Sequence, residues 1–195
     1  MNGLINRSIQ CFLTDTHGAG LWSRVAVAAG LDFENFEPML DYDPVLTDRV
    51  ITAAARLLDR PRETVLEDLG TFLVSHPHLG ALRRLLRFGG ASFVDFLHSL
   101  EELPGRGRLA LPDLDLPQML LLDHSPQDYT LTCRAPLAGA GHVLLGLLRA
   151  MADDYGALVW LEHQGAGLDG EVIAIRLLDD SFAAARPFAL VQEAG

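Results

Sequence analysis

The sequence predicts an α+β domain in which a series of helices is followed by an antiparallel sheet with one long helix. Apolar residues recur at the three-to-four-residue spacing of helices through roughly the first hundred residues. Further along, short runs alternate between apolar and polar residues, as half-buried strands do. A glycine-rich turn at 165–170 joins two such runs into a hairpin. Helices first and strands second is the order typical of the α+β class.

Six helices are predicted in the first part of the chain, at about residues 4–17, 21–29, 44–58, 61–74, 80–88 and 92–103. Local signals fix several of their ends. Asp43 followed by Pro44 suits a helix start, because the side chain accepts a hydrogen bond and proline fits the first turn. Ser92 with Asp95 three residues later forms a weak capping box. We expect Pro104 to end the sixth helix.

The second half of the sequence contains the strand signals. Strands are expected at 128–133, 158–163 and 171–177, with 188–191 as a last edge strand. An amphipathic helix is expected at 137–154, and the proline-rich stretch 105–127 is interpreted as an ordered connector. No internal repeat is visible, so the chain is expected to form a single domain over 1–195.

Charge and composition exclude several classes of function. The 195-residue chain has a net charge of −11, whereas a protein that binds nucleic-acid phosphates needs positive charge. All 15 basic residues are Arg, so no Lys can form a Schiff base. The longest apolar stretch, 135–151, is interrupted by His142 and Arg149 and is too short to cross a membrane. Because the chain has two cysteines and no signal peptide, we expect it in the cytoplasm.

Residue chemistry alone gives little support for an enzyme. His76 and His78 make at most half of a metal site, and a solvated turn is the simpler interpretation. Cys133 beside Arg134 is a candidate low-pKa thiol, although a small buried strand residue explains it better. His142, in an apolar helix, is interpreted as a core histidine. Three arginines on the fifth predicted helix form either a partner surface or, by default, a solvated face: Arg83, Arg84 and Arg87.

Several short motifs occur in an order that resembles the heme nitric oxide/oxygen-binding (H-NOX) family. The opening motifs are Met1-x-Gly3-x-Ile5-Asn6, His17-Gly18-x-x-x-Trp22 and Ala29-Gly30-Leu31. The central and later motifs are Ser92-Phe-Val-Asp-Phe96-Leu97-x-Ser99-Leu100-Glu101-x-Leu103, Pro112-x-Leu114-x-x-Pro117 and Leu144-Leu-Gly-Leu-Leu148. Each motif is short, but their order and spacing over nearly the whole chain are specific.

The resemblance implies a helical distal subdomain, here residues 1–60, and a proximal subdomain, 61–195, with a four-stranded antiparallel sheet. It also implies a heme b cofactor whose iron is bound by a histidine directly after the last Leu of the central block. In this sequence that position is Pro104, whose nitrogen belongs to the peptide bond and has no lone pair for iron. His98, six residues earlier, points roughly 120° away around a helix and is a poor substitute.

A second family motif, Tyr-x-Ser-x-Arg, holds the heme propionates. It corresponds here to Thr130-Leu-Thr132-Cys-Arg134. Arg134 keeps a bidentate donor for a carboxylate and Thr132 keeps a hydroxyl, whereas Thr130 lacks the phenol. Tyr129 is no easy replacement, because adjacent residues of a strand face opposite sides. If no ligand takes it, Arg134 is expected to pair with Asp43 or another local acid.

The resemblance also makes Ile5 and Pro117 positions that press on the porphyrin, although core packing explains both equally well. We therefore expect a non-enzymatic sensor or binding module without histidine-ligated heme. Its pocket would hold a small apolar acid through Arg134, or be filled by side chains. The alternative is a conventional NO or O2 sensor whose heme is held by another side chain, or weakly by apolar contact and Arg134. By resemblance, the partner would be a histidine kinase or a cyclic-dinucleotide enzyme.

Overall fold

The structure, a computed structural model, describes residues 1–110 and 116–183. The helices are α1 Gly3–His17, α2 Ala19–Ala29, α3 Pro44–Leu58, α4 Arg62–Ser75, α5 Gly80–Arg87, α6 Phe93–Ser99, α7 Leu103–Ala110 and α8 Ala140–Tyr155. The strands are β1 Gln118–Asp123, β2 Asp128–Arg134, β3 Leu158–Gly167 and β4 Gly170–Asp179. The predicted α+β class is confirmed. Within the described ranges, no helix is long and apolar enough to cross a membrane.

The two predicted N-terminal caps are present, and each forms its hydrogen bonds to the first turn of its helix. The Asp43 side chain accepts a bond from the Val45 backbone N–H at 2.9 Å, with Pro44 as the first residue of α3. At α6 the capping box is complete, because Ser92 Oγ accepts from the Asp95 N–H while Asp95 accepts from the Ser92 N–H. These caps satisfy donors that a helix leaves free in its first turn, so they fix where each helix begins.

The prediction that Pro104 ends a helix is wrong. Helix α6 already ends at Ser99, and a 3-10 turn, Leu100–Glu102, follows it. Helix α7 then begins at Leu103 with Pro104 as its second residue. Proline is compatible with this place because the first N–H groups of a helix have no partner within it. Pro104 therefore lies in the first turn of a helix, and that helix extends into the stretch interpreted as a connector.

The sheet has the strand order β1-β2-β4-β3, with each neighbouring pair antiparallel. Strand β1 was not expected, because the prolines on both sides of it suggested a connector. Its alternation is nevertheless regular, with Met119 and Leu121 buried and their neighbours exposed. The fourth strand of the sheet is therefore β1. The strand predicted at 188–191, like Pro112 and Leu114 of the central motif, lies outside the described residues.

Within residues 1–110 and 116–183, the buried apolar side chains form two clusters. The first lies among α1 to α4 and includes Phe12, Leu13, Val25, Phe36, Ile51 and Leu66. The second lies between the sheet and the helices α5, α6 and α8, and includes Phe96, Leu97, Leu131, Leu148, Met151 and Ile173. Helices α4 and α8 take part in both clusters, so they connect the two halves of the fold.

Helices α4 and α8 approach each other at two glycines. A Cβ atom added at Gly70 would lie 1.9 Å from the Val143 carbonyl oxygen. A Cβ atom added at Gly146 would lie 1.9 Å from the Glu67 carbonyl oxygen. Only residues without a side chain allow this separation of the two backbones. We call this contact the α4–α8 crossing.

Candidate functional site

Position 104, which the resemblance assigns to the iron ligand, holds a buried proline in the first turn of α7. The residues before it pack into the second cluster through Leu100 and Leu103. Between them, the carboxylate of Glu101 accepts a hydrogen bond of 2.8 Å from the Leu121 backbone N–H and so holds the edge strand β1. Because a prolyl nitrogen is a tertiary amide and the ring has no other heteroatom, position 104 offers no nitrogen or side-chain donor to a metal.

Histidines near this segment form contacts of their own. His98 Nε2 lies 3.5 Å from a carboxylate oxygen of Asp123. His124 Nε2 lies 2.8 Å from the hydroxyl of Thr130, the residue to which the resemblance assigns the position of the propionate-binding phenol. Across residues 1–110 and 116–183, no group of three or more His, Cys, Asp or Glu side chains is arranged to hold a metal ion.

Strand β2 carries the residues of the second family motif on one face and Tyr129 on the other. The core face carries Tyr129, Leu131 and Cys133, and the opposite face carries Thr130, Thr132 and Arg134. The Tyr129 hydroxyl donates to the Pro126 carbonyl at 2.7 Å, and burial raises the pKa of this phenol. Tyr129 therefore lies on the face opposite Thr130, as the strand alternation predicts.

Arg134 is paired with an acid of its own chain. Its Nε donates to the Asp169 carbonyl and its Nη2 donates to the Asp169 carboxylate, both at 3.1 Å. The acid is in the turn between β3 and β4, not Asp43. The side chains of Arg134 and Asp169 are 61% and 86% exposed, and an exposed pair of this kind is weak. A stronger carboxylate ligand could therefore take the place of Asp169.

Three of the predicted pocket positions share one end of the β1–β2 pair. Thr132 is opposite Leu120 and Arg134 is opposite Gln118 in the register, and Pro117 directly precedes β1. All three are partly or fully exposed. Ile5, on α1, packs instead against the first apolar cluster. The structure thus places Thr132 and Arg134 on the open face of the sheet, with Pro117 directly before β1 at the same end, and Ile5 in the other half of the fold.

The remaining sequence candidates with described side chains, His76 and Cys133, have structural contacts. His76 stacks on Phe72 with 4.4 Å between ring centroids and precedes the 3-10 turn Pro77–Leu79; the side chain of His78 lies outside the described residues. Cys133 is buried, and burial together with the negative charge of Glu171 raises the pKa of its thiol to about 11. A protonated thiol is a poor nucleophile, so the structure favours the buried strand residue over the reactive one.

The arginine stripe on α5 is mostly structural, contrary to the default expectation of a solvated face. Arg83 binds both carboxylate oxygens of Asp154 at 2.5 and 2.9 Å, and Asp154 is 1% exposed. The guanidinium carbon of Arg87 lies 3.9 Å from the centre of the Tyr155 ring. Of the three arginines only Arg84 is exposed. No local pattern could show this, because the partners are on α8, far along the chain.

One cluster was missed by sequence reasoning. The imidazole rings of His142 on α8 and His163 on β3 are stacked with 4.0 Å between centroids. Each has a carboxylate neighbour, Glu67 for His142 and Glu171 for His163. The four residues come from four different elements, so only the tertiary structure could bring them together.

Solved structures of similar fold include two H-NOX proteins. The chain superposes on the Fe(II) unliganded H-NOX protein from K. algicida with a TM-score of 0.79 and 17% identity, over 94% of this chain and 100% of that one. It superposes on the H-NOX protein from S. oneidensis in the Fe(II)NO state with a TM-score of 0.76 and 16% identity, over 92% and 100%. At these identities, the likeness establishes the fold.

Sequence comparison gives the family. The chain is 24% identical over 154 residues to the soluble guanylate cyclase gcy-31 of Caenorhabditis elegans, covering 79% of this chain and 22% of that protein. The chain therefore spans about a fifth of the length of this relative. The model of the Haem-NO-binding family matches residues 2–163, which is most of the chain. On this match, with the fold described above, the chain belongs to the Haem-NO-binding (H-NOX) family.

Proposed function

We propose that this chain is a non-enzymatic sensor module that works without a histidine-ligated heme and regulates a signalling partner. The observation that carries the proposal is the buried Pro104 in the first turn of α7. Because an axial imidazole–iron bond anchors heme in proteins of this kind, a proline at that position removes the anchor. The residues present do not fit a heme bound by histidine at position 104.

The remaining half of the family site supports a different ligand. Arg134 presents two N–H donors to a carboxylate on the open face of the sheet, with the Thr132 hydroxyl two residues away on the same face. Asp169 occupies those donors through an exposed pair that a ligand can displace. A small apolar acid suits such a site, because one charged fork fixes its carboxylate while its apolar part adds contact area.

The partner is proposed from the family and the relative of the chain. A chain that is similar to part of a soluble guanylate cyclase is suited to regulate a signalling enzyme. A histidine kinase or a cyclic-dinucleotide enzyme fits this role. The two cysteines are unpaired, which agrees with a cytoplasmic location.

The test is the absorption spectrum of the chain produced with heme freely available. We expect no stoichiometric Soret band from the wild type. The Pro104→His variant should acquire one if the cavity of the family persists, because the imidazole restores an axial ligand. A matched control, Gly105→His, places an imidazole one residue further and should not.

The competing function, gas sensing through a heme held by another side chain, gives a different result. In that case the wild type would itself bind heme stoichiometrically, and one substitution among His98, His124 and His142 would abolish the band. That outcome would overturn the proposal. The family match is the observation that favours this alternative.

A further inference from the structure

The open face of the sheet, opposite α6 and α8, carries large apolar side chains that remain in contact with solvent. Strand alternation puts Leu120 and Leu122 of β1 and Trp160 of β3 on this face, where they are 52%, 48% and 47% exposed. The partly exposed Val172 and Ala174 of β4 lie between them. Apolar side chains grouped on one exposed surface indicate an interaction site.

The strand register shows how charges are arranged on this face. Trp160 lies opposite Arg176, and Glu162, two residues further along β3, lies opposite Ala174. Glu162 and Arg176 therefore occupy one diagonal of the rectangle that these residues form, and Trp160 and Ala174 occupy the other. Glu162 is exposed and has no ion-pair partner among the described residues. The apolar diagonal thus runs between a free acid and an arginine.

Arg176 keeps hydrogen-bond donors for a second acid. Its Nε donates to Asp128 Oδ1 at 2.6 Å, and the arginine side chain is still 60% exposed. A guanidinium has several further N–H groups on its terminal nitrogens, and these can bind another carboxylate. The open face therefore presents an acid and a base on either side of an exposed tryptophan.

We propose that the open face binds a second copy of this chain, face to face, in a twofold symmetric dimer. A twofold axis along the Trp160–Ala174 diagonal exchanges the two ends of the other diagonal. Glu162 of each copy then lies over Arg176 of the other copy, and the two Trp160 side chains approach each other at the axis. A face that carries both charges in exchangeable positions is complementary to itself, as an isologous contact requires.

The size of the face determines how strong this dimer is. The sheet has four strands, which at a spacing of about 4.8 Å and with about six residues of about 3.4 Å each cover about 400 Å² per copy. A total of about 800 Å² is at the small end of the range for specific contacts. Each copy also carries a net charge of −11, so two copies repel each other. We therefore expect a weak dimer that becomes tighter as salt screens this repulsion.

The experiment is sedimentation equilibrium of the full chain at about 10 µM to 1 mM, in about 0.05 M and 0.5 M NaCl. No acid ligand is added, so the result does not depend on the site at Arg134. We expect a monomer–dimer equilibrium with more dimer at the higher salt. Trp160→Glu should weaken the association at least about tenfold, because it puts a charge at the centre of the contact. The matched control is Val27→Glu, which makes the same change of charge at an exposed apolar residue of α2 and should behave as wild type.

A charge exchange tests the arrangement of the two copies. Glu162→Arg and Arg176→Glu should each weaken self-association, because like charges then face each other across the axis. An equimolar mixture of the two variants should associate as strongly as wild type, since each acid again faces an arginine. If either residue acted only on the stability of its own copy, mixing would not restore association.

Three results would contradict this account. A chain that stays monomeric at every concentration and at both salt concentrations would overturn the dimer; the face would then be left to residues 184–195 or to a different protein. Equal association of Trp160→Glu and wild type would show that the copies meet elsewhere. A mixture as weak as the separate charge variants would exclude the Glu162–Arg176 contact. Circular dichroism shows whether each variant folds, and if Trp160→Glu does not, the charge exchange at exposed positions decides the proposal.

Discussion

Two arginine–aspartate pairs in this molecule have the same chemistry and opposite surroundings. Arg83–Asp154 joins α5 to the end of α8, and its carboxylate is 1% exposed. Arg134–Asp169 joins β2 to the turn after β3, with both side chains more than half exposed. Removing one partner of the buried pair leaves a charge without compensation, whereas the exposed pair can exchange its partner for water or a ligand. Burial therefore makes the first pair part of the framework and leaves the second available for binding.

The same contrast separates the framework of the fold from its site. The framework, with the α4–α8 crossing and the capped helix starts, supports a fold that superposes on H-NOX structures over more than nine-tenths of the chain. In the proposed function the site positions are what departs from the family, with Pro104 where the resemblance places the iron ligand and Thr130 where it places the phenol. A fold can be retained by selection on its packing while the residues that bind the cofactor change.

The largest effect is expected at the buried pair. Asp154→Ala leaves Arg83 without its bidentate partner and should lower the free energy of unfolding by about 3–5 kcal/mol. Urea unfolding followed by circular dichroism measures this change. Asp153→Ala, which removes the exposed neighbouring carboxylate, is the control and should be nearly silent. Equal losses of unfolding free energy from the two substitutions would show that the burial of Asp154 does not make its carboxylate more important for stability than that of Asp153.

The α4–α8 crossing should be the next most sensitive place. Gly146→Ala forces the two helix backbones apart, because its Cβ would lie 1.9 Å from a carbonyl oxygen, and should cost about 1–3 kcal/mol of unfolding free energy. Gly20→Ala, in α2 with no atom within 4 Å of the new Cβ, should instead stabilise by about 0.5–1 kcal/mol. Thermal unfolding should show a lower Tm for Gly146→Ala and a higher Tm for Gly20→Ala. A stable Gly146→Ala would mean that the helices can move apart without loss.

A smaller effect is expected from the capping box of α6. Ser92→Ala removes the acceptor for the Asp95 N–H and should cost about 1 kcal/mol in unfolding free energy. Hydrogen bonds from the backbone and side chain of Ser92 lower the pKa of Asp95. The ionised Asp95 carboxylate therefore contributes to the unfolding free energy above the ordinary carboxyl pKa. This contribution is lost as the pH falls through the lowered pKa of Asp95. Asp95→Asn should remove that part of the acid dependence, and an unchanged acid midpoint would contradict the assignment.

The smallest effect on stability is expected at the exposed pair. Arg134→Ala should change the unfolding free energy by less than about 1 kcal/mol, because both side chains are solvated. Calorimetric titration with medium-chain fatty acids should nevertheless show weaker binding by this variant than by wild type. Arg176→Ala, at another exposed arginine–aspartate pair on the same sheet, is the matched control. Equal binding by both variants would remove Arg134 from the site.

Sequence patterns predicted what local chemistry determines. The starts of α3 and α6 followed from Asp43 and Ser92, and the alternation of β2 correctly separated Tyr129 from Thr130. Partners distant in the sequence could not be predicted. Nothing near Arg83 indicates Asp154, and nothing near His142 indicates His163. Pro104 shows that a local signal can be ambiguous. Proline suits the first turn of a helix as well as the residue after a helix end, so the sequence alone does not decide between the two.

The most direct test of the central claim compares two porphyrins that differ only in the metal. The apoprotein is titrated with iron protoporphyrin IX and with metal-free protoporphyrin IX, and the dissociation constants are measured by fluorescence quenching. If no side chain coordinates iron, wild type should bind both equally or neither, and Pro104→His should favour the iron form alone. Wild-type protein that binds the iron porphyrin much more tightly than the metal-free one would contradict the account.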